Sequence, residues 1–561
     1  MTKRTHVDPI IHMPTSQFQK GLSLRTVLWL SIPIMCAYGV GFPSAIALPN
    51  GSSFLDIDTS AVKYSQSRGS AVAKHACRNF ISRTNHNGSI ISASEMALVT
   101  EEPDVCVIRG VIDPEIQYIA YLPKEWNGRF YMHGNYGFAG EDLTNEAGLA
   151  ARVKALRYGF ATAFTNGGHS AVAEPGASWG YNNLQREIDY AYRALHLTSE
   201  TAKELISEYY GIAPKYSYFD GCSTGGMQGF NSSQRFPDDF DGILAGAPVF
   251  DMTNLIWKYW SDQKAIASSP LSRQKLELLA SILYEKYDGV DAVVDGVISN
   301  PLALDFDVSR DLPTGGTDKQ FSDGELETLE KIYSPLYVND KRVYPGSVIS
   351  GEKVGRTYVA ESDAMGSPMS AWEGRAVVNK DGKLAQRAIV ESWFRFLAFE
   401  RDDPELDWST LDPAIDLHRN QLAAQIFNAS NPDLTEFYNR GGKMIVYHGW
   451  GDFGVNPVRT IEYYESVQEY MPQEIDQFLQ LYLIPGMHHC HGGNGIDSFD
   501  LMTPLIAWVE KGVAPQKIIG YGFDDQHKPR SRPLCHFPKV EKYKGVGSIE
   551  HHSSFECVVP E

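Results

Sequence analysis

Lys215 to Phe236 reads KYSYFDGCSTGGMQGFNSSQRF. Tyr216, Tyr218 and Phe219 form an alternating aromatic run of the kind that makes a buried strand, and it breaks into Gly221-Cys222-Ser223-Thr224-Gly225-Gly226 ahead of a helix-compatible segment. Strand, sharp turn and helix is the context in which G-x-S-x-G becomes a nucleophile elbow. Small flanking residues let a strained turn push the Ser223 hydroxyl out at the end of a central sheet, and the next amide, Thr224 N–H, can bind an oxyanion. The helix aims its unpaired N–H groups at the same point. Ser223 is therefore the candidate nucleophile. The pattern alone is weak, because a glycine-rich turn can produce it. Gly176-Ala177-Ser178-Trp179-Gly180 is a second match, but it follows Glu174-Pro175 with no apolar strand feeding it, which reads as a loop.

Partners for Ser223 lie on both sides. Upstream, Ile116–Leu122, Arg129–His133 and Phe160–Thr165 read as strands, and Leu184–Tyr210 carries Leu, Ile, Ala and Tyr at helical spacing. This alternation predicts an α/β sheet with helical layers. Directly after one strand comes His133-Gly134-Asn135-Tyr136-Gly137-Phe138-Ala139-Gly140, where a second oxyanion amide is expected within Gly134 to Gly137. A tight loop using glycine for positive φ is an equally compatible reading. Downstream, Met444–His448 ends in Gly449-Trp450-Gly451-Asp452, and Gln480–Ile484 ends in Pro485-Gly486-Met487-His488-His489-Cys490-His491. A serine, an acid and a histidine, each just past a strand, follow the chain order of an α/β-hydrolase core. Ser223 would attack a carbonyl, His489 would take and return its proton, and Asp452 would hold the imidazole, with His488 and His491 as competitors for the histidine role.

Between these halves the texture changes. Helix-like segments (Arg273–Tyr287, Asp323–Tyr333) alternate with Gly- and Asp-rich stretches and with Trp257, Tyr259, Trp260, Trp372, Trp393, Phe394 and Phe396, which suggests an inserted domain whose aromatics are mostly its own core. Within it, Tyr287-Asp288-Gly289-Val290-Asp291-Ala292-Val293-Val294-Asp295-Gly296-Val297 sets three carboxylates close together. All-oxygen donors suit Ca²⁺ better than a transition metal, although a solvated acidic turn gives the same pattern.

The 561 residues exceed what one hydrophobic core usually organises, and 43% hydrophobic with 21% charged residues is a globular composition. A net charge of −19 argues against nucleic acid and against an anionic membrane surface as partners. Lys3, Arg4, Lys20 and Arg25 precede or flank an apolar run from Thr26 to about Gly39, followed by Ala45-Ile46-Ala47. This reads as a signal peptide over 1–47, cleaved after Ala47. A membrane anchor is disfavoured because the run is short and interrupted by Pro33 and Pro43. Cleavage removes four basic residues and one acidic residue (Asp8), taking the charge from −19 to −22. It also removes Cys36 and leaves six cysteines, an even number that favours disulfides in an exported, secreted or periplasmic chain. Six cysteines allow fifteen connectivities. Proximity favours Cys77 with Cys106 and Cys535 with Cys557, which would leave Cys222 for Cys490; reduced, buried thiols are the alternative.

Gly221-Cys222-Ser223-Thr224-Gly225-Gly226, His448-Gly449-Trp450-Gly451-Asp452 and His489-Cys490 resemble the CS-D-HC signature of the tannase and feruloyl esterase family, which includes a terephthalate-monoester hydrolase. The resemblance runs from about Cys77 to Cys557 and includes Arg193-Ala194-Leu195-His196 and Trp508-Val509-Glu510-Lys511-Gly512. It implies His489 as the catalytic histidine, a Cys222–Cys490 disulfide, and a lid with a calcium site built from Asp288, Asp291, Asp295 and the carbonyls of Val293 and Val297. Two positions depart from the family: Met227 stands where Arg is usual, and Tyr287 where a cysteine usually precedes the first calcium aspartate, which predicts an unstapled, more mobile lid. The expected organisation is a core over 48–249 and 432–561 interrupted by a lid over 250–431. The expected activity is hydrolysis of a small aromatic ester through an acyl-serine. The alternative is a catalytically idle, ligand-binding protein of the same fold, and oligomeric state is left open.

Overall fold

The computed structural model describes residues 71–560 except 82–83, 86–87, 98–103, 145–154, 354–383, 473–474 and 525–527. These all fall within one compact unit, Leu48–Glu561. The expected leader, Cys36, Trp372 and the N-x-Ser sequons at Asn50 and Asn87 lie outside the described residues.

Ten strands build the main sheet: β1 Thr84–Asn85, β2 Gly88–Met96, β3 Val105–Ile112, β4 Ile116–Pro123, β5 Arg129–His133, β6 Ala161–Thr165, β7 Tyr216–Cys222, β8 Gly242–Gly246, β9 Lys443–Gly449 and β10 Leu479–Ile484. Their spatial order is β10-β9-β8-β7-β5-β6-β4-β3-β2-β1. The six strands from β10 to β6 run parallel, and β4 to β1 add antiparallel neighbours. Neighbouring residues on a strand point to opposite faces, and both faces of the parallel half are apolar. Phe219 packs with Phe130, Ile243, Met444 and Leu481 on one face, where α1 (Ala194–Tyr210), α2 (Thr224–Arg235) and α3 (Pro457–Tyr470) cover it. Tyr218 packs with Tyr131, Leu244, Ile445 and Tyr482 on the other, under α4 (Met502–Lys511). The chain thus has the α/β fold expected of it.

The chain leaves the sheet after β8 and returns as β9, the parallel neighbour of β8, with Gly242 opposite Lys443. Trp257, Trp260, Trp393, Phe394 and Trp408 of the intervening stretch bury one another together with Trp179, Tyr190 and Met227 of the core. Most of the inserted aromatics are therefore packing residues. Met227 is fully buried in this cluster, where a guanidinium would need a paired anion. Tyr287 donates its hydroxyl to Asp305 O (2.8 Å) and Asp311 Oδ2 (3.0 Å), so hydrogen bonds tie the position that the family's cysteine usually holds.

The stretch Leu184–Tyr210 is one helical run interrupted by a π turn, Asp189–Arg193. Six described cysteines pair as Cys77–Cys106, Cys222–Cys490 and Cys535–Cys557, with Cα–Cα separations of 5.5, 6.0 and 5.5 Å. Of the two N-x-Ser sequons among the described residues, Asn231 is buried with its amide on Ala191 O, whereas Asn428 is half-buried and donates to Thr253 Oγ1. Among the described residues no helix is long and apolar enough to cross a membrane.

Candidate active site

β7 ends at Cys222 and α2 starts at Thr224, so a single residue turns the chain between them. That residue, Ser223, has φ 64° and ψ −120°, a region few side-chain-bearing residues occupy. The turn is held from both sides: Ser223 N–H donates to Gly246 O (3.0 Å), and its carbonyl accepts from Met227 N (3.0 Å) and Val249 N (3.3 Å). Ser178 differs. It sits in a 3-10 turn with its hydroxyl on Pro175 O (3.0 Å), no strand before it and an unstrained backbone.

Thr224 N–H belongs to the first turn of α2, where amides have no acceptor within the helix. The loop after β5 lies across this turn. Thr224 Oγ1 donates to Gly137 O (2.5 Å), and Tyr190 on the π turn donates to the same carbonyl (2.9 Å). Gly134, expected as the second oxyanion donor, is not one: its N–H donates to Asp220 O (2.9 Å) and continues the β5–β7 ladder. Its glycine identity has a different cause, since a Cβ there would lie 2.6 Å from Gly225 Cα. The amides of Asn135 and Tyr136 are taken by Gln228 Oε1 (2.9 Å) and Glu141 Oε1 (3.0 Å). Within Gly134 to Gly137, the candidate amide is that of Gly137, which has φ 51°.

Beyond β9, Asp452 is fully buried and Oδ2 lies 2.6 Å from His489 Nδ1, while Oδ1 accepts from Val455 N (2.8 Å). Burial opposes its charge, but His489 and His448 outweigh burial and hold the carboxyl below the usual range. For His489, burial disfavours the cation and the Asp452 carboxylate more than compensates, so its pKa is raised. His488 has no such contact: burial pushes it down to about 4, and its Nε2 has no hydrogen-bond partner. His491 is linked through its amide to His489 O (2.8 Å). Of the three histidines, His489 meets the acid. The acid and histidine loops approach so closely that a Cβ on Gly449 would lie 2.2 Å from Met487 O. The Cys222–Cys490 bond joins the residues next to Ser223 and His489. His448 was not anticipated, although its place in His448-Gly449-Trp450-Gly451-Asp452, four residues ahead of the acid, was a usable signal.

The acidic loop folds on itself. Asp288 accepts from Asp295 N (3.2 Å) and Gly296 N (2.9 Å), Asp291 from Val293 N (3.0 Å), and Asp295 from Val297 N (3.1 Å). Asp295 also pairs with Arg532. Among the described residues no three His, Cys, Asp or Glu side chains converge as a metal-holding group. Burial, with repulsion from Asp295 and Asp288, nevertheless pushes Asp291 up to about 6. Nearby Glu541 is pushed up to about 7, mainly by burial, and its buried Oε2 has no hydrogen-bond partner. Glu541 Oε2 faces Arg532 Nε at 3.8 Å, and the oxygen-only donors of the loop are compatible with a hard cation.

The model of the tannase and feruloyl esterase family matches residues 100–558. A mono(2-hydroxyethyl) terephthalate hydrolase of Piscinibacter sakaiensis is 31% identical over 525 residues, covering 82% of this chain and 85% of that protein. A probable feruloyl esterase B-1 of Aspergillus flavus is 30% identical over 496 residues, covering 81% and 86%. The crystal structure of feruloyl esterase B from Aspergillus oryzae superposes with a TM-score of 0.71 at 26% identity, covering 86% of this chain and 99% of that one.

Proposed function

Because the chain belongs to the tannase and feruloyl esterase family, and is thus a carboxylic ester hydrolase, we propose that it cleaves esters of aromatic acids through an acyl-serine at Ser223. The observation that carries this reading is the 2.6 Å His489–Asp452 contact on a loop bonded covalently to the elbow. Ser223 Oγ attacks the ester carbonyl as His489 takes its proton. The amides of Thr224 and Gly137 hold the oxyanion. His489 returns the proton to the departing alkoxide, and water, deprotonated by the same imidazole, releases the acid. Asp452 stays ionised throughout. An idle ligand-binding protein would have no use for a strained serine beside an acid–histidine pair.

Feruloyl and terephthalate-monoester substrates are the classes that the relatives' names point to, and galloyl esters are the third class expected of the tannase side of the family. Methyl ferulate, methyl gallate and mono(2-hydroxyethyl) terephthalate, each compared with methyl butyrate, test the aromatic preference. At least one should exceed the aliphatic ester by about a hundredfold in kcat/KM, the discrimination that about 2.7 kcal/mol of differential transition-state binding supports. Equal rates on all four would sink it. The leader composition and the three disulfides support export from the cytoplasm.

Asp288, Asp291 and Asp295, with the carbonyls of Val293 and Val297, would hold Ca²⁺; bound there, the ion would neutralise a half-buried acidic loop. Added calcium should then raise the melting temperature of chelator-treated protein, with a stabilisation of about 2.7 kcal/mol at a hundredfold excess over its dissociation constant. Unchanged melting with and without exhaustive chelation, together with no calcium by elemental analysis, would leave an acidic turn held by its own amides.

A further inference from the structure

His448 sits on β9, four residues ahead of Asp452, and is completely buried. The acyl-transfer chemistry gives it no task. Its Nε2 is 3.1 Å from Asp452 Oδ2 and 3.0 Å from the carbonyl of Val455, and its Nδ1 is 2.9 Å from Thr460 Oγ1. A carboxylate and a carbonyl carry no hydrogen, so Nε2 holds the proton, and the Thr460 hydroxyl donates to Nδ1. Asp452 is thereby gripped on three sides: Oδ2 receives both His448 and His489, and Oδ1 receives the Val455 amide.

Taking Ser223, Asp452 and His489 as the triad, we propose that His448 is a positioning residue that fixes the Asp452 carboxylate and draws off part of the charge on Oδ2, setting the basicity of His489. One oxygen with two N–H donors shares its charge between them. If His448 is removed, the whole charge falls on His489, which then keeps its proton to higher pH, and the carboxylate loses one of its restraints. Among the described residues, the following titratable groups act on this pair. His448 approaches Asp452 from β9 and His489 from the histidine loop, while His488 feels Asp452 and His491. His488 is held neutral by burial and does not supply the effect.

His448→Leu, His448→Gln and Thr460→Val in the full chain, assayed on a hydrolysed aromatic ester across pH, test this. The free base of His489 is the active form, so kcat/KM rises with pH through its pKa. In His448→Leu the acidic limb should move up by about half a pH unit or more, with kcat down about tenfold and KM little changed. His448→Gln, whose amide can donate from near the Nε2 position, should recover most of both effects. Thr460→Val, which only frees the ring, should move the limb the same way by less, and it carries the test if His448→Leu does not fold. An acidic limb that stays in place or moves down in His448→Leu or Thr460→Val overturns the proposal. So does a His448→Gln variant as impaired as His448→Leu, since the loss would then follow packing. Fluorophosphonate labelling of wild-type Ser223 separates the premise from the inference: no labelling removes the triad itself, whereas normal labelling with an unmoved limb removes only the part given to His448.

Discussion

If Ser223 is the nucleophile, replacing it with Ala should lower kcat by about 10⁴- to 10⁶-fold on any ester the protein hydrolyses, because the bond-forming atom goes while the proposed oxyanion amides and the binding surface remain. A fluorophosphonate should label the wild-type chain at Ser223 and leave the variant unlabelled. Stability depends on the Cβ and not on the hydroxyl. Ser223 occupies a backbone region that costs a side-chain-bearing residue of order 1 kcal/mol, and glycine is free of that penalty. Ser223→Gly is therefore expected to melt at a higher temperature than Ser223→Ala, while both are inactive. Mapping of the label to Ser178, or near-normal turnover in Ser223→Ala, would remove the nucleophile assignment. An equal melting temperature for the two variants would remove the strain argument and leave the chemistry untouched.

The legible part of the chain was the part in which local pattern and global fold agree. β7, β9 and β10 are apolar runs bounded by glycine or by the catalytic loops, and Arg273–Tyr287 and Asp323–Tyr333 read as helices because their apolar spacing matches one buried face. Val105–Ile112 and Gly242–Gly246 escaped although both are buried apolar strands, and other elements escaped because their burial is polar. Pro529–Leu534, reading PRSRPL, looks like an exposed linker, yet Arg530 and Arg532 are buried because Asp295, Glu541 and Glu550 face them from distant positions. No local signal predicts such pairings. Gly88–Met96 fails for the opposite reason: one of its faces is exposed, and its Ser-rich alternation is weak. At the site, the residue types were legible but the amide directions were not. A glycine after a strand suggests a free N–H. Whether Gly134 N–H points to substrate or to Asp220 O depends on sheet register, which only the assembled fold supplies.

Loss of the Cys222–Cys490 bond should be the second severe change. Cys222 precedes Ser223 and Cys490 follows His489, and their Cα atoms are 6.0 Å apart, so the bond fixes the separation of elbow and histidine loop. Cys490 itself has φ 63°, so both the proposed nucleophile, Ser223, and the residue after His489 sit in turns that the native fold must impose. Asp452 can orient the imidazole, but it does not tie that loop to β7. In Cys222→Ala/Cys490→Ala, kcat should fall by about a hundredfold, the loss expected when reacting groups drift by roughly 1 Å. The pair of alanines leaves no charge or unsatisfied donor in an apolar cluster with Tyr447 and Met487, so the variant should still fold. Its stability should drop, because the bond closes a loop with a sequence separation of 268. Chain-entropy reasoning puts the contribution at roughly 5 kcal/mol, and native-state strain generally makes the measured loss smaller. The two effects separate experimentally. Denaturant melts read the stability, and the fluorophosphonate labelling rate, measured well below the transition, reads the geometry. If the double variant labels and turns over at the wild-type rate while melting lower, the bond is a staple for the fold alone, and the Asp452–His489 contact suffices to place the imidazole.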